Sequence, residues 1–180
     1  MPNTGSADFA AIQEVMKWPW KPMWRVPTMP MPWTYRHASR EWRAFLDDVK
    51  ERMSLASDNM AYTAVDAVFQ TFRRRLTAQQ GLNVAGVLPS VLRATFVNGW
   101  DVTALPVPFS ERSALIAETK QVRVHHNLTP DNAIEATAWA IRRCTNKTDF
   151  ERVLKQLPDE AVAFWHVDVD DRAELEPRIV

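Results

Sequence analysis

Apolar residues in the middle of the chain recur at intervals of three and four, with charged residues between them. This spacing places the apolar side chains on one face of a helix and leaves the charged ones for solvent. The pattern follows Ser39 closely, and it predicts a first helix that begins near that residue. The apolar positions of this helix are Trp42, Phe45, Leu46, Val49 and Met53.

Helix start signals divide the rest of this half into three further helices. Asp58 is a good N-cap for a second helix that extends to about Leu76. The run Thr77-Ala-Gln-Gln80 is a capping-box pattern, which predicts a third helix. Pro89 favours the first turn of a fourth helix, and Gly99 ends it.

Similar signals recur in the second half of the chain. Ser110 is the predicted cap of a fifth helix, and Thr129-Pro130 is a start signal for a sixth. The run Thr148-x-x-Glu151 repeats the capping-box pattern and predicts a seventh helix. Pro158 then interrupts the chain before an apolar segment that ends at Trp165.

The two halves therefore match in the order of their features. The interval from Thr77 to Thr148 equals the interval from Asp58 to Thr129, and the interval from Pro89 to Pro158 is slightly shorter. A short deletion of two residues reconciles these intervals. We therefore predict an all-α fold of two tandem similar units, with three to four helices each, packed as one bundle-like domain.

The first 36 residues differ from the rest in composition. They hold half of the 12 prolines and half of the 8 tryptophans. A short helix is predicted over residues 8–17, and the recurring prolines that follow require an extended or polyproline-like chain. The predicted organisation is an arm (1–36), a first helical unit (37–98), a linker (99–109), a second unit (110–166) and an acidic tail (167–180) that we expect to fray.

Composition limits the classes of function. Because 46% of the residues are apolar, the chain can build a core, and because the 22 basic residues match 22 acidic ones, a nucleic-acid partner is not expected. A single cysteine, Cys144, favours a reducing compartment, and we expect a cytoplasmic location. The sequence shows no run of eighteen apolar residues and no secretory signal, so we expect no transmembrane segment.

At this point the order of features is similar to that of a known family. The sequence resembles the bacterial family of domains of unknown function 2267 over about residues 37–166, but it has Gly86-Val87 and Ala94-Thr95 where that family often has glutamine and glycines. The resemblance implies a helical, repeat-containing domain and no reaction. The arm lies outside it. The runs that carry the resemblance are Arg40-Glu-Trp42, Leu88-Pro89-x-x-Leu-Arg93, Gly99-Trp100, Leu157-Pro158 and Phe164-Trp165.

Candidate catalytic residues are few. His125 and His126 are adjacent, so on a helix they point about 100° apart and do not chelate one ion well. Cys144 follows two arginines, which favour a lower thiol pKa, but a lone helical cysteine is more often an inert core residue. The acidic run at 168–171 lacks the glycine and the glutamate of a calcium loop. We therefore expect no metal, no cofactor and no enzymatic activity.

Two arginine clusters lie near the ends of equivalent helices. Their simplest role is a favourable interaction with the helix dipole, worth roughly 0.3–1 kcal/mol each. Their alternative role is one anion-binding surface formed by both units. The residues of this candidate site are Arg73, Arg74, Arg142 and Arg143.

The arm carries a large apolar area on a segment that has no core of its own. It either covers its own helical domain, docks to another protein, or lies on a membrane surface. Our leading hypothesis is a non-enzymatic accessory or scaffold protein that docks, through residues 16–33, to a larger protein assembly or to a second copy of itself. The second hypothesis is a ligand-sensing domain that binds a small anion between the units, and the third is peripheral membrane association. The predicted partner-binding residues are Trp18, Trp20, Trp24, Met29, Met31 and Trp33.

Overall fold

The computed structural model describes residues 31–122 and 129–178 of the 180-residue chain. Contacts divide the chain after Met31, and the helices described below belong to the unit Pro32–Val180. The secondary structure of the described residues is helical, without a strand, and the predicted all-α class is confirmed. No helix within these ranges has the length and apolar content needed to cross a membrane. The predicted helix over residues 8–17 lies outside the described part.

Nine α-helices form this part of the chain, and they pack as one bundle-like domain. A four-residue helix, α1, precedes the first helical unit (α2–α5), and the second unit (α6–α9) is followed by a short 3-10 helix. The bounds in the first unit are α1 Trp33–Arg36, α2 Ala38–Arg52, α3 Asp58–Arg73, α4 Ala78–Val87 and α5 Ser90–Val97. Those in the second are α6 Arg112–Gln121, α7 Ala133–Cys144, α8 Lys147–Leu154 and α9 Asp159–Phe164, with the 3-10 helix at Arg172–Leu175.

The capping box of the third predicted helix is confirmed, and its predicted counterpart is wrong. In α4 the Thr77 hydroxyl accepts from the Gln80 amide at 3.3 Å, and the Gln80 side chain accepts from the Thr77 amide at 2.9 Å. In α8 the N-cap is Asn146, whose side chain accepts from the Asp149 amide at 3.1 Å. Thr148 therefore lies inside the first turn of α8, because Asn146 already satisfies the amide that a cap must reach.

Three other predicted helix starts are displaced along the chain. Ser57, not Asp58, is the N-cap of α3, and its hydroxyl accepts from the Met60 amide. Helix α6 begins after Glu111 rather than at Ser110, without a side-chain cap. Helix α7 begins after Asn132, beyond the predicted start at Thr129-Pro130. Each site has several adjacent polar residues, and only the folded backbone determines at which of them the helix begins.

A constant interval in sequence relates the two units. The interval from the cap Thr77 to the cap Asn146 equals the interval from Pro89 to Pro158, and we call it the repeat interval. It also separates the last residues of α2 and α6. The longer predicted interval between caps and the predicted deletion are therefore wrong, because both rested on Thr148 and Thr129 as caps. With Asn146 as the cap of α8, one interval relates the equivalent positions of the two units, and no deletion is needed.

The two units pack on each other in a reciprocal way. Helix α2 contacts α7, and its counterpart α6 contacts α3. Equivalent helices also contact each other, α3 with α7 and α4 with α8. If the labels of the two units are exchanged, the same helix pairs remain in contact. The self-complementary interface of a two-fold dimer has this property. Each unit therefore buries its open apolar face against the other.

Aromatic side chains fill the centre of this interface. The Phe72 ring on α3 lies 4.9 Å from the Trp165 ring and 5.0 Å from the Phe164 ring, both from the second unit. Phe69, on the same helix, lies 5.3 Å from Phe96 in an edge-to-face arrangement, a geometry that aromatic pairs favour. All five side chains are at most 1% exposed. Helix α3 is therefore the central element of the core.

Residues after α9 pack on the domain, in contrast to the predicted frayed tail. Val167 is buried, and Val169 and Leu175 pack against the core. Near the end, the Arg178 amide donates to the Arg143 carbonyl at 2.8 Å. Buried apolar side chains spaced through the acidic run hold this segment against α7.

Two glycines in α4 have different surroundings. A Cβ atom at Gly81 would overlap the indole of Trp100, whereas a Cβ atom at Gly86 meets nothing within 4 Å. The Trp100 ring thus lies directly over the backbone of α4. Gly81 is required by this close approach, because any side chain there must displace the indole.

We predict opposite effects for alanine at these two positions. Gly81→Ala should lower the free energy of unfolding by about 1–3 kcal/mol, because overpacking outweighs the gain in helix propensity. Gly86→Ala should leave stability unchanged or raise it by up to about 1 kcal/mol. Urea unfolding followed by tryptophan fluorescence measures both. A Gly81→Ala variant as stable as Gly86→Ala would show that Trp100 does not pack on α4.

Candidate functional site

Two aromatic side chains lie exposed where the chain enters the folded unit. Trp33 and Tyr35, both on α1, are each 55% exposed. The Trp33 indole stacks on the His37 ring with centroids 4.2 Å apart, and the Thr34 carbonyl accepts a hydrogen bond from the Ser90 hydroxyl at 3.4 Å. We call Trp33 and Tyr35 the aromatic surface. These contacts hold α1 on the domain and leave both rings accessible to a partner.

The other predicted partner-binding residues precede this surface in the sequence. Met31 is 59% exposed. Trp18, Trp20, Trp24 and Met29 lie outside the described residues. The contribution of the arm to docking therefore stays a prediction.

Arg73 and Arg142 occupy equivalent positions and make equivalent hydrogen bonds. Arg73 donates to the Phe96 carbonyl, and Arg142 donates to the Trp165 carbonyl at 3.1 Å. The repeat interval separates the two arginines and also separates their two acceptors. Arg73 is 5% exposed, and burial lowers the pKa of its guanidinium. Each arginine thus satisfies a carbonyl near the end of the last helix of its own unit.

The remaining two predicted anion-binding arginines have other partners. Arg74 is exposed and lies 3.2 Å from Glu118. Arg143 donates to Asp48 at 3.2 Å and to the Glu174 carbonyl at 2.7 Å, and its guanidinium lies 4.5 Å from the centroid of the Trp139 ring. The four arginines line three separate cavities, with Arg73 and Arg74 in one and Arg142 and Arg143 in one each. The structure does not bring all four into one cavity.

Glu118 connects the two units through arginines at the end of α3. Arg75 donates to both carboxylate oxygens of Glu118, at 3.0 and 2.6 Å, and its side chain is only 3% exposed. Burial by itself raises the pKa of Glu118, but the hydrogen bonds and charges of Arg75 and Arg74 outweigh it and lower this pKa below its ordinary value. Glu118 is therefore ionised in the folded protein, and it pairs with a buried guanidinium.

One buried carboxylate was not predicted from the sequence. Asp48 on α2 accepts hydrogen bonds from Arg143 and from Arg178, and its side chain is 8% exposed. The helical pattern places it between Leu46 and Val49, where it resembles an ordinary solvent-facing charge. No sequence signal links it to Arg178, which lies 130 residues further along the chain. The ion pair between Asp48 and Arg178 holds the C-terminal segment on α2.

Two cavities occupy equivalent places in the two units. The first-unit cavity has a volume of about 350 Å³ and is lined by Arg73, Leu76, Gly99 and Trp100, among others. The second-unit cavity has a volume of about 440 Å³, and its lining includes the residues one repeat interval later. These are Arg142, Thr145, Asp168 and Val169.

Other candidate chemistry has little support in the described residues. Burial strongly raises the pKa of the Cys144 thiol, which disfavours the thiolate that a nucleophile needs. Residues 31–122 and 129–178 contain no group of histidine, cysteine or acidic side chains suited to hold a metal ion. His125 and His126 lie outside these ranges.

The chain matches the sequence model of a known protein family. The sequence model of a family described as "Uncharacterized conserved protein (DUF2267)" matches residues 42–164. This range includes most of α2 and continues to the end of α9, so it spans both helical units. No curated protein is significantly similar to the chain in sequence.

We predict that Arg73 stabilises the fold, in contrast to its neighbour Arg74. Arg73→Met should lower the free energy of unfolding by about 1–3 kcal/mol, because the Phe96 carbonyl loses its donor. Arg74→Met should change it by no more than about 1 kcal/mol, since its ion pair is exposed. Urea unfolding measures both. Equal stability of the two variants would contradict a structural role for Arg73.

We also predict a pH-dependent contribution from Glu118. Its folded-state pKa is lowered, so the pair stabilises the fold fully above the ordinary value of 4.5, and this contribution is lost as the pH falls through the folded-state pKa. Glu118→Gln should therefore cost roughly 1–2 kcal/mol at neutral pH and progressively less in acid.

Urea unfolding between neutral pH and pH of about 3 tests this dependence. Glu160→Gln, which removes an exposed carboxylate on α9, is the matched control. An effect of Glu118→Gln that does not shrink in acid would contradict the ion pair.

Proposed function

We propose that this chain, which belongs to the DUF2267 family of uncharacterized conserved proteins, is a non-enzymatic accessory protein. It docks to a protein partner through the aromatic surface and the arm that precedes it. The proposal places the protein in the bacterial cytoplasm, because the resemblance is to a bacterial family and the chain has one cysteine.

The observation that carries the proposal is the exposure of Trp33 and Tyr35. Tryptophan and tyrosine are enriched at the energetic centres of protein interfaces, where they supply a large rigid contact area. The other large aromatic side chains of the domain lie in or against its core, including Trp42, Trp100, Trp139 and Trp165. Two large aromatic side chains on one four-residue helix therefore differ from the rest of the domain in a way that a binding surface explains.

The position of α1 also favours docking. Trp33 lines a cavity of about 370 Å³ together with Glu41, Asp48 and Arg178. Charged groups beside an exposed indole are the arrangement of an interface rim, in which polar residues surround an aromatic anchor. A partner residue that enters this cavity would contact both the indole and the charged groups.

A stable interface needs more contact area than Trp33 and Tyr35 provide, so the docking surface has to include the arm. Two half-exposed aromatic rings offer on the order of 200 Å², whereas a stable interface takes about 800 Å² from each partner. The aromatic surface alone is therefore too small. The sequence that leads into it contains Trp18, Trp20 and Trp24, and these side chains supply apolar area of the same kind. Prolines in that segment reduce the entropy that a bound chain loses.

Site-specific photocrosslinking in the native host tests the proposal. A benzophenone side chain at position 35 replaces Tyr35 with a larger aromatic group. We expect a discrete crosslinked adduct with one protein, since Tyr35 lies in the docking surface. The control position is Leu105, which is 88% exposed in the linker between the units and lies far from α1 in sequence.

The adduct has to depend on the aromatic surface itself. In the benzophenone protein, Trp33→Ala should reduce the adduct at position 35, whereas Leu82→Ala, at an exposed site on α4, should not. Equal adducts at positions 35 and 105, or an adduct that is insensitive to Trp33→Ala, would contradict docking through this surface. An adduct between two copies of this chain would identify the partner as a second copy.

A further inference from the structure

We propose that the second-unit cavity binds a small organic carboxylate with an apolar body. This inference does not depend on docking through the aromatic surface. The cavity lies between the end of α7, the first turns of α8 and the C-terminal segment that follows α9. Its volume of about 440 Å³ falls in the range of ligand pockets, roughly 300–1,000 Å³.

The equivalent cavity of the first unit serves as an internal reference. Both cavities keep the arginine that binds a carbonyl of its own unit, Arg73 or Arg142. Around that arginine the second unit has polar residues at positions where the first unit has apolar or small ones. From the first unit to the second, these changes are Leu76 to Thr145, Ala78 to Lys147, Leu82 to Glu151, Val97 to His166 and Gly99 to Asp168.

These changes are not needed to build the four helices of a unit, because the first unit forms the equivalent helices without them. The two cavities also differ in the side chains that lie beneath them. In the first unit the Trp100 indole covers Gly81, whereas in the second unit the equivalent residues are Val169 and Phe150, which both line the cavity. The second cavity is therefore larger and keeps an apolar floor. Polar groups on an apolar floor are typical of a small-molecule site.

The charges around the cavity favour a monoanion. The Arg142 guanidinium pairs with Glu151, and His166 lies 2.9 Å from Asp168. Lys147 makes only an exposed ion pair with Glu176. Arg172 is exposed and has no hydrogen-bond or ion-pair partner within the described part of the chain. It lies on the 3-10 helix, whose counterpart at residues 103–106 is not helical.

One unpaired guanidinium suits one carboxylate, which it can bind through two parallel hydrogen bonds. The two carboxylates in the lining, Glu151 and Asp168, repel a second negative charge. A phosphate dianion therefore fits the cavity less well than a carboxylate. The apolar part of the ligand would lie on Phe150, Val167 and Leu175.

Titration of the full chain with benzoate tests the site. Chemical shift changes of backbone amides report binding, and we expect saturation at millimolar benzoate with the largest changes in residues 142–151 and 166–175. Neutral benzyl alcohol and inorganic phosphate should both bind at least about tenfold more weakly, since the first lacks the charge and the second carries too much of it. Equal binding of either probe, or no saturable change with benzoate, would overturn the proposal.

Variants assign the binding to Arg172. Arg172→Gln should weaken benzoate binding at least about tenfold, because the carboxylate loses its charged donor. Arg152→Gln is the matched control, since Arg152 lies on α8, pairs with Asp149 and does not line the cavity. Both side chains are exposed, so neither variant should change the urea midpoint of unfolding. An unchanged midpoint excludes loss of fold as the cause of weaker binding. Benzoate affinity that is the same in both variants would contradict the assignment.

Discussion

The structure depends on the mutual burial of two duplicated units around helix α3. Phe69 and Phe72 contact aromatic side chains from the ends of both units, and these contacts exclude water from the centre of the bundle. A unit of four short helices buries little surface by itself, so its stability alone would be marginal. Reciprocal packing of the two units provides a shared interior. Arg73 and Arg142 then satisfy carbonyls near the ends of α5 and α9.

The helical class and the duplication into two units of three to four helices were predictable because apolar spacing and turn residues are local signals. The capping box at Thr77 was predicted correctly for the same reason. The cap of α8 was not, because Asn146 and Thr148 are both good caps and the choice depends on the folded backbone. That error also made the predicted interval between equivalent caps too long.

The candidate site was less predictable, because its contacts join distant parts of the chain. The sequence identified Arg142 and Arg143 but not their acceptors, since a backbone carbonyl has no residue-type signature. Asp48 and Arg178 are likewise brought together only by folding. The two cavities differ at equivalent positions, and this equivalence follows from the repeat interval between the caps Thr77 and Asn146.

The two units should form one cooperative body, and native-state hydrogen exchange tests this most directly. Amides in α3, from the first unit, and in α7, from the second, should exchange through the same global opening, with equal free energies and equal denaturant dependence. Such a result would show that neither unit stays folded without the other. Exchange of α7 through a separate opening of lower free energy, while α3 remains protected, would contradict it.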